Sequence, residues 1–430
     1  MIIGLKSYAI PLPSSRDAVL KKIPMSQRIA ISLRCANCGS EISPESGKYS
    51  CPKCHGILQV EYNDRLIGKD SIFSHSPRSG VWRFFEMLPV EKSENIISLE
   101  EGNTPLIRTE SLGDGFYVKD ETRNPTGSFK DRPNTVGISK AVELGAKTVA
   151  IASSGNAAGS LSAYAAKAKM KCVVCVPEDT PNSKLKQIMV FGAKVAKVRG
   201  TYSNSFNLIR NSCQKFGWHN LTSVCTANPY QVEGDKTAAY EIYERLNDPD
   251  WVLVPLGAGP LLVGIYRGFW ELREAGLIEK IPRLVGVQAE ECAPIVRAFK
   301  EGAKEVTAWE GKPHTVAHSI ADPLTGYSQD GTLTLEKIRD SDGVAESVND
   351  EEMLEAVWQL ARGEGIFAEP AAASTLATAN KLKRKGVISN GDKVVLMVTG
   401  TGLKSSAALD LLAEPPVINP DPDDLTEAIR

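Results

Sequence analysis

The chain has 430 residues, 42% hydrophobic and 24% charged, with a formal net charge of −2. That is ordinary for a globular protein with room for two or three domains. The near-neutral balance excludes bulk electrostatics as a means of holding nucleic acid or an anionic membrane, and no apolar run approaches the roughly eighteen residues of a membrane span.

Residues 1–30 read as an N-terminal arm, with scattered Lys and Arg but no signal-peptide core; Met1 and Met25 are both open as natural starts. Residues 31–62 read as a zinc ribbon. Cys35-x-x-Cys38 and Cys51-x-x-Cys54, with Gly39 and Gly56 just beyond, can bring four thiolates to one tetrahedral ion. So small a piece has little core of its own, so a structural Zn2+ would supply its folding energy. Four thiolates leave no open position for catalysis, and His55 is a bystander. The other cysteines, Cys172, Cys175, Cys213, Cys225 and Cys292, lie mostly in apolar stretches. This is the usage of a reducing cytoplasm, not of a disulfide framework. Residues 63–100 form a connector with Trp82, Phe84, Phe85 and Leu88 as packing anchors.

From about residue 101, β-branched runs alternate with amphipathic stretches. Strands are expected at Thr148–Ala152, Cys172–Val176, Val252–Leu256, Leu284–Gln288 and Val394–Val398. Helices are expected at Thr135–Leu144, Ala157–Lys169, Lys184–Phe191, Ser203–Phe216, Lys236–Leu246, Leu262–Ala275 and Ala371–Lys383. Such alternation predicts an α/β protein with parallel sheets covered on both faces. The Pro-rich, acidic end, Pro415–Asp424, reads as a surface tail.

Three strand-to-helix turns and one lysine carry the chemistry. In Asn124-Pro-Thr-Gly-Ser-Phe-Lys130-Asp-Arg132 a lysine follows a turn and precedes a helix, beside Phe129. A lysine partly withdrawn from water can hold a neutral, nucleophilic amine; the bland alternative is an exposed cap lysine. Ser153-Ser154-Gly155-Asn156 follows a strand and opens a helix, whose free N–H groups make an anion site; a plain Ser cap is the alternative. Gly257-Ala258-Gly259-Pro260-Leu261 does the same, its glycines allowing close backbone approach to a phosphate, although Pro260 removes one donor. Thr399-Gly-Thr-Gly402 follows the last core strand. Glu369 and Pro370 open a helix at the expected cleft.

These motifs, with Gly80-Val-Trp-Arg, Glu101-Gly-Asn-Thr-Pro-Leu106, Asn228-Pro-Tyr230 and Gly365-Ile-Phe-Ala-Glu-Pro370, stand in the order found in threonine synthases, and the chain resembles that family from about Cys35 to Lys404. The resemblance implies a fold-type II pyridoxal 5'-phosphate (PLP) enzyme, tryptophan synthase β-like, with two parallel-sheet lobes plus the ribbon. A small lobe (135–245) would be inserted in a large PLP domain (63–134 and 246–412), followed by a tail (413–430). It implies a Lys130 Schiff base with PLP, Asn156 facing the PLP 3'-oxygen, Thr399 on the pyridine nitrogen, Phe129 beside the cofactor and residues 257–261 around its phosphate. Ser153, Ser154 and Gly155 would hold the α-carboxylate, with Arg132 and Gln231 on the substrate. The implied reaction turns O-phospho-L-homoserine and water into L-threonine and phosphate, in a cytoplasmic homodimer whose ligands are small amino acids, with neither nucleic acid nor membrane as partner.

The pattern departs from the family at two substrate-phosphate positions. Family members usually carry an Asn-rich cradle and an Arg after Asn-Pro-Tyr/Phe; here stand Ala258, Pro260 and Gln231. Gln lacks the charged fork that Arg offers a phosphate. Arg123, Arg132, Lys184 and Lys186 are the cations that could compensate. The departures keep open another PLP enzyme of β-elimination or β-replacement, such as a serine/threonine ammonia-lyase or a cysteine- or cysteate-forming synthase. A regulatory protein on a retired enzyme scaffold is the third class.

Overall fold

The computed structural model describes residues 32–44, 48–62, 68–73, 76–405 and 407–429, and the side chains of Ser183 and Lys184 are not among those described. The expected arm over 1–30 and the side chain of Lys184 therefore lie outside the described residues. Three sheets organise the chain. Strands β1 (Ser32–Cys35), β2 (Glu41–Ile42) and β3 (Leu58–Glu61) form a small antiparallel sheet in the order β2-β1-β3. A six-stranded sheet contains β4 (Leu106–Arg108), β5 (Phe116–Asp120), β10 (Trp251–Pro255), β11 (Arg283–Ala289), β12 (Val344–Val348) and β13 (Val394–Val398). Its order is β12-β11-β10-β13-β5-β4, and every pairing is parallel except that of β4 with β5. The third sheet is wholly parallel, β8-β7-β6-β9, from β6 (Thr148–Ala152), β7 (Lys171–Pro177), β8 (Lys194–Val198) and β9 (His219–Asn220).

The central strands show why they read so clearly in sequence. All five residues of β10 and all five of β13 are buried, because helices cover both faces of the sheet and each strand position must be apolar. Helices Asp350–Glu364 and Pro370–Arg384 pack on one face of the large sheet, around Leu253, Leu396 and Val398. Helix Pro260–Glu274 packs on the other, through Leu262, Ile265 and Phe269.

The helices expected from Lys184 and Leu262 begin two residues earlier, at Asn182 and Pro260, and two other stretches differ more. The helix after Lys130 runs Asp131–Glu143, four residues ahead of the expected Thr135 start. Pro133 is tolerated there because the N–H groups of a first helical turn have no intrahelical partner to lose. The helix expected from Lys236 is preceded by a further turn, Val232–Asp235, packed so closely that a Cβ on Gly234 would lie 2.0 Å from the Arg132 carbonyl oxygen. The tail over 415–423 is exposed, and a short helix, Pro422–Ala428, closes it.

The ribbon is fastened to this body. Ile57 packs with Cys225, Val263 and Leu333, and the Tyr62 hydroxyl donates to Glu233 at 2.6 Å. Tyr49 meets Nδ1 of His219, while His219 Nε2 lies 3.3 Å from the Asn228 amide nitrogen. Read as a network, Nε2 accepts from Asn228 and Nδ1–H donates to Tyr49, which requires a neutral ring. Burial, reinforced by the Lys140 cation, pushes the His219 pKa down to about 3. The unfolded chain takes up this proton near pH 6.5 and the folded chain only near 3, so this site costs stability as pH falls through that window, at up to about 1.4 kcal/mol per pH unit. His219→Gln should therefore flatten the slope of unfolding free energy against pH by about one proton between pH 6 and 4, measured by urea unfolding; an unchanged slope would refute the assignment.

Candidate active site

A buried ionic cluster fixes the lysine motif. Arg132 is fully buried. Its Nε donates to Glu121 (2.7 Å), Nη1 to Thr237 (3.0 Å) and Glu241 (2.9 Å), and Nη2 to Thr104 (3.0 Å), Glu121 (2.8 Å) and Glu241 (2.7 Å). Lys119 of β5 joins through Glu241 at 2.6 Å and the Thr104 carbonyl at 2.7 Å. Two cations thus face two carboxylates. Burial alone would raise the Glu241 carboxyl, but Arg132 and Lys119 more than offset it and hold it below the ordinary range.

Residues 127–129 lie along the turn that follows β13. Phe129 N–H donates to the Thr399 carbonyl at 2.9 Å, and Thr401 N–H donates to the Gly127 carbonyl at 3.0 Å. Gly127 has φ +75°, a conformation glycine adopts at no steric cost. Lys130 leaves this turn half-buried, with Nζ 4.5 Å from the Phe129 ring centroid. No carboxylate among the described residues comes within ion-pair distance of it. Burial lowers its pKa, while the carboxyls of Asp235 and Asp322 pull the other way. A half-buried, unpaired lysine is one whose amine can be neutral and nucleophilic.

Two helix N-termini open onto this region. Helix Asn156–Lys167 starts at Gly155 with no side-chain cap, and the N–H groups of Ser154, Asn156 and Ala157 find no acceptor among the described residues. Ser153 Oγ accepts from Gly155 N–H at 3.3 Å. Helix Pro260–Glu274 starts at Gly259, again uncapped by a side chain, and the N–H groups of Gly257, Ala258, Gly259 and Leu261 likewise find no acceptor among the described residues. By contrast, helices Tyr202–Phe216 and Asp350–Glu364 carry capping boxes. Free N–H groups at a helix start suit an anion such as a cofactor phosphate. Gly259 is at φ +98°, and a Cβ there would lie 2.2 Å from Thr334 Oγ1, which itself donates to the Ala258 carbonyl at 2.9 Å. The 257–261 backbone thus has the free donors and the tight turn that a bound PLP phosphate requires. Pro260, at the first helical position, gives up only an N–H that has no helical partner.

Asn156 lies between two charged groups. Its Nδ2 is 3.1 and 3.3 Å from the Glu369 carboxylate oxygens, and its Oδ1 accepts from Lys404 Nζ at 3.1 Å. Thr399 is buried at the end of β13.

Not every candidate faces a ligand. Arg132 has each of its nitrogens committed inside the protein, so its visible work is structural. Gln231 donates to Asn134 Oδ1 at 3.1 Å and to the Leu221 carbonyl at 3.3 Å, and its Oε1 has no hydrogen-bond partner among the described residues. Of the other candidate cations, Arg123 pairs with Asp120 and Lys186 is exposed. Sequence reasoning gave no role to Lys404, or to two carboxyls that act on Lys130. Asp235 is buried with Oδ1 unpartnered, and burial raises it to about 8. Asp322 lies against Gly257, its Cβ 3.4 Å and its Oδ2 3.5 Å from the place a Gly257 Cβ would occupy. Their positions in the sequence carry no local signal.

The four ribbon cysteines come together. Their sulfurs all lie within 4.8 Å of one another, with Cys35 and Cys54 at 3.4 Å and Cys38 and Cys51 at 3.6 Å. A disulfide would need about 2.05 Å, whereas zinc–sulfur bonds of about 2.3 Å in a tetrahedron place sulfurs near 3.8 Å apart. The spacing suits a metal ion.

The profile of the pyridoxal-phosphate dependent enzymes matches residues 97–400. The chain belongs to that family. It is 40% identical over 406 residues to threonine synthase of Methanosarcina acetivorans, covering 92% of this chain and 98% of the relative. It is also 40% identical over 395 residues to threonine synthase of Methanocaldococcus jannaschii, covering 89% and 95%. The fold is that of a fungal L-serine ammonia-lyase from Rhizomucor miehei (TM-score 0.60, 22% identity, 71% of this chain and 96% of that one) and of maize serine racemase (TM-score 0.60, 20% identity, 70% and 88%).

Gly259→Ala tests the cradle. The strained φ and the collision with Thr334 should cost about 1–3 kcal/mol of stability and weaken PLP binding at least about tenfold, read by thermal melts and by titration of the visible absorbance. Unaltered PLP affinity would exclude these N–H groups as the phosphate site.

Proposed function

We propose that this PLP-dependent lyase is a threonine synthase, acting on O-phospho-L-homoserine and water to give L-threonine and phosphate. The observation that carries the reading is the near full-length match to threonine synthases, joined to an unpaired, desolvated Lys130 beside two uncapped helix N-termini. On this reading 135–245 is a smaller lobe inserted into 63–134 and 246–412, and PLP lies between them.

PLP, when bound, supplies an aldehyde for an amine to attack and a ring that withdraws electrons from the substrate's α- and β-carbons. The protein supplies the rest. The N–H groups from Ser153, Ser154 and Gly155 into the helix start hold the substrate carboxylate. Lys130 Nζ takes the α-proton and carries a proton at the β-carbon. Residues 257–261 would hold the cofactor phosphate, Phe129 and Asn156 would lie beside the ring, and the Thr399 hydroxyl would meet the ring nitrogen, a neutral partner that would leave that nitrogen largely unprotonated. Purified protein with PLP should release phosphate and L-threonine in equal amounts from O-phosphohomoserine, and Lys130→Ala should lose both the turnover and the visible band. Ammonia from serine or threonine, with no phosphate from O-phosphohomoserine, would instead establish the β-elimination reading, which the inward-turned Gln231 and the Ala258-Gly259-Pro260 cradle favour.

The same reading makes Cys35, Cys38, Cys51 and Cys54 a structural zinc site in a cytoplasmic homodimer none of whose nine cysteines is in a disulfide. Since Ile57 of the ribbon packs on Val263 of the cradle helix, a chelator that removes one zinc per chain should lower the melting temperature and weaken PLP binding together. Metal analysis finding no zinc in freshly purified protein would dismiss the assignment.

A further inference from the structure

We propose that Lys404 is a positioning residue: it locks the side-chain amide of Asn156 with its carbonyl turned to the ammonium and its N–H donors turned to Glu369 and the cofactor ring. The inference rests on the reading of this cleft as a PLP site. Three separate elements deliver the three groups. Lys404 ends the turn after β13, Asn156 begins the helix after β6, and Glu369 precedes helix Pro370–Arg384.

The amide lies between an ammonium at Oδ1, 3.1 Å away, and a carboxylate at Nδ2, 3.1 and 3.3 Å away. Hydrogen bonds to charged partners are roughly twice as strong as neutral ones. Rotating the amide by half a turn would set NH2 against the ammonium and C=O against the carboxylate, exchanging two attractions for two repulsions. An Asn with neutral neighbours on both sides would have no such preference. Nδ2 carries two hydrogens. One serves the Glu369 carboxylate, and the other remains to be given to the ring oxygen of bound PLP.

The surroundings leave little slack. A Cβ on Gly400 would stand 2.8 Å from Glu369 Oε1 and 3.1 Å from Asn156 Nδ2, and a Cβ on Gly127 would stand 3.4 Å from Lys404 Cε. The glycines of the lysine motif and of the turn after β13 therefore let this chain of three close against the backbone that carries Lys130. Burial works against the Lys404 charge, and the Asp131 and Glu369 carboxyls sustain it.

The test is a double-mutant cycle on the full-length protein, with PLP as the probe. Lys404→Met should weaken PLP binding about tenfold and shift the visible band, Lys404→Arg should restore most of both, and in an Asn156→Ala background Lys404→Met should change affinity less than about twofold. An equal loss in both backgrounds, or no loss and no spectral shift in the native background, would overturn the proposal. Should Lys404→Met melt well below the parent, Lys404→Gln is to be read in the same cycle. Because the readout is cofactor absorbance, a parent protein that binds PLP yet releases no phosphate would defeat the threonine synthase reading while leaving this test intact.

Discussion

The lysine motif is held by ionic forces, and that constrains everything built on it. Arg132 and Lys119 meet Glu121 and Glu241 at 2.6–2.7 Å with scarcely any exposure to water. Replacing such a cluster by apolar side chains of the same volume can be neutral, but removing one member strands a buried charge and typically costs about 3–5 kcal/mol. The cluster joins the end of β5, the motif itself and helix Thr237–Leu246. It therefore fixes where the backbone at Lys130 leaves the protein, and does so without placing a carboxylate on Lys130. Geometry and electrostatics are separated: the charges that position the lysine are spent on one another, so the amine keeps its depressed pKa.

The same economy governs the anion sites. Two long helices away from the lysine, those starting after Thr201 and Asn349, carry capping boxes. The two that face the lysine leave their N–H groups free, and each follows a parallel strand, β6 or β10, at its C-terminal end. Crevices at that edge of a parallel sheet are where such folds collect ligands. A second buried cluster, Lys236 with Glu233 and Glu271, ties the turn Val232–Asp235 to helix Pro260–Glu274. The cradle thereby gains a fixed distance from the backbone next to Arg132.

What the sequence disclosed followed local physics. Strands β6 and β13 have the expected bounds because continuous β-branched runs between turns admit one reading. The ribbon cysteines, and the loops 153–156 and 257–261, were legible because short spacing alone brings their groups together. Arg132 was misleading for the opposite reason. Beside a reactive lysine it looks like a substrate cation, and the carboxylates that consume it lie 11 and 109 residues away. Asp235, Asp322 and the tie from Lys404 to Asn156, 248 residues apart, depend on how two sheets dock, which no window of sequence records. Pro133 delayed the expected helix because proline reads as an interruption unless the first turn is already located.

The departures at the cradle bear on the substrate phosphate more than on the cofactor's. A cofactor phosphate held by backbone N–H groups would be insensitive to whether Asn or Ala stands at 258, provided that the turn at Gly259 is kept. The remaining difficulty is Asp322, a carboxyl lying against Gly257 where a dianionic phosphate would sit. Ionised, it would oppose that anion at close range in a medium of low dielectric. Burial raises its pKa, and its Oδ1 already accepts from Tyr327 at 2.7 Å and from Leu324 N–H at 3.0 Å. A proton taken up there would sit on Oδ2, the oxygen nearer Gly257, and would turn an opposing charge into a hydrogen-bond donor. Burial likewise raises Asp235, to about 8. A cleft that accepts an anionic cofactor and an anionic substrate holds carboxyls on its walls at less cost when desolvation favours their neutral form, and the same desolvation favours the neutral amine of Lys130.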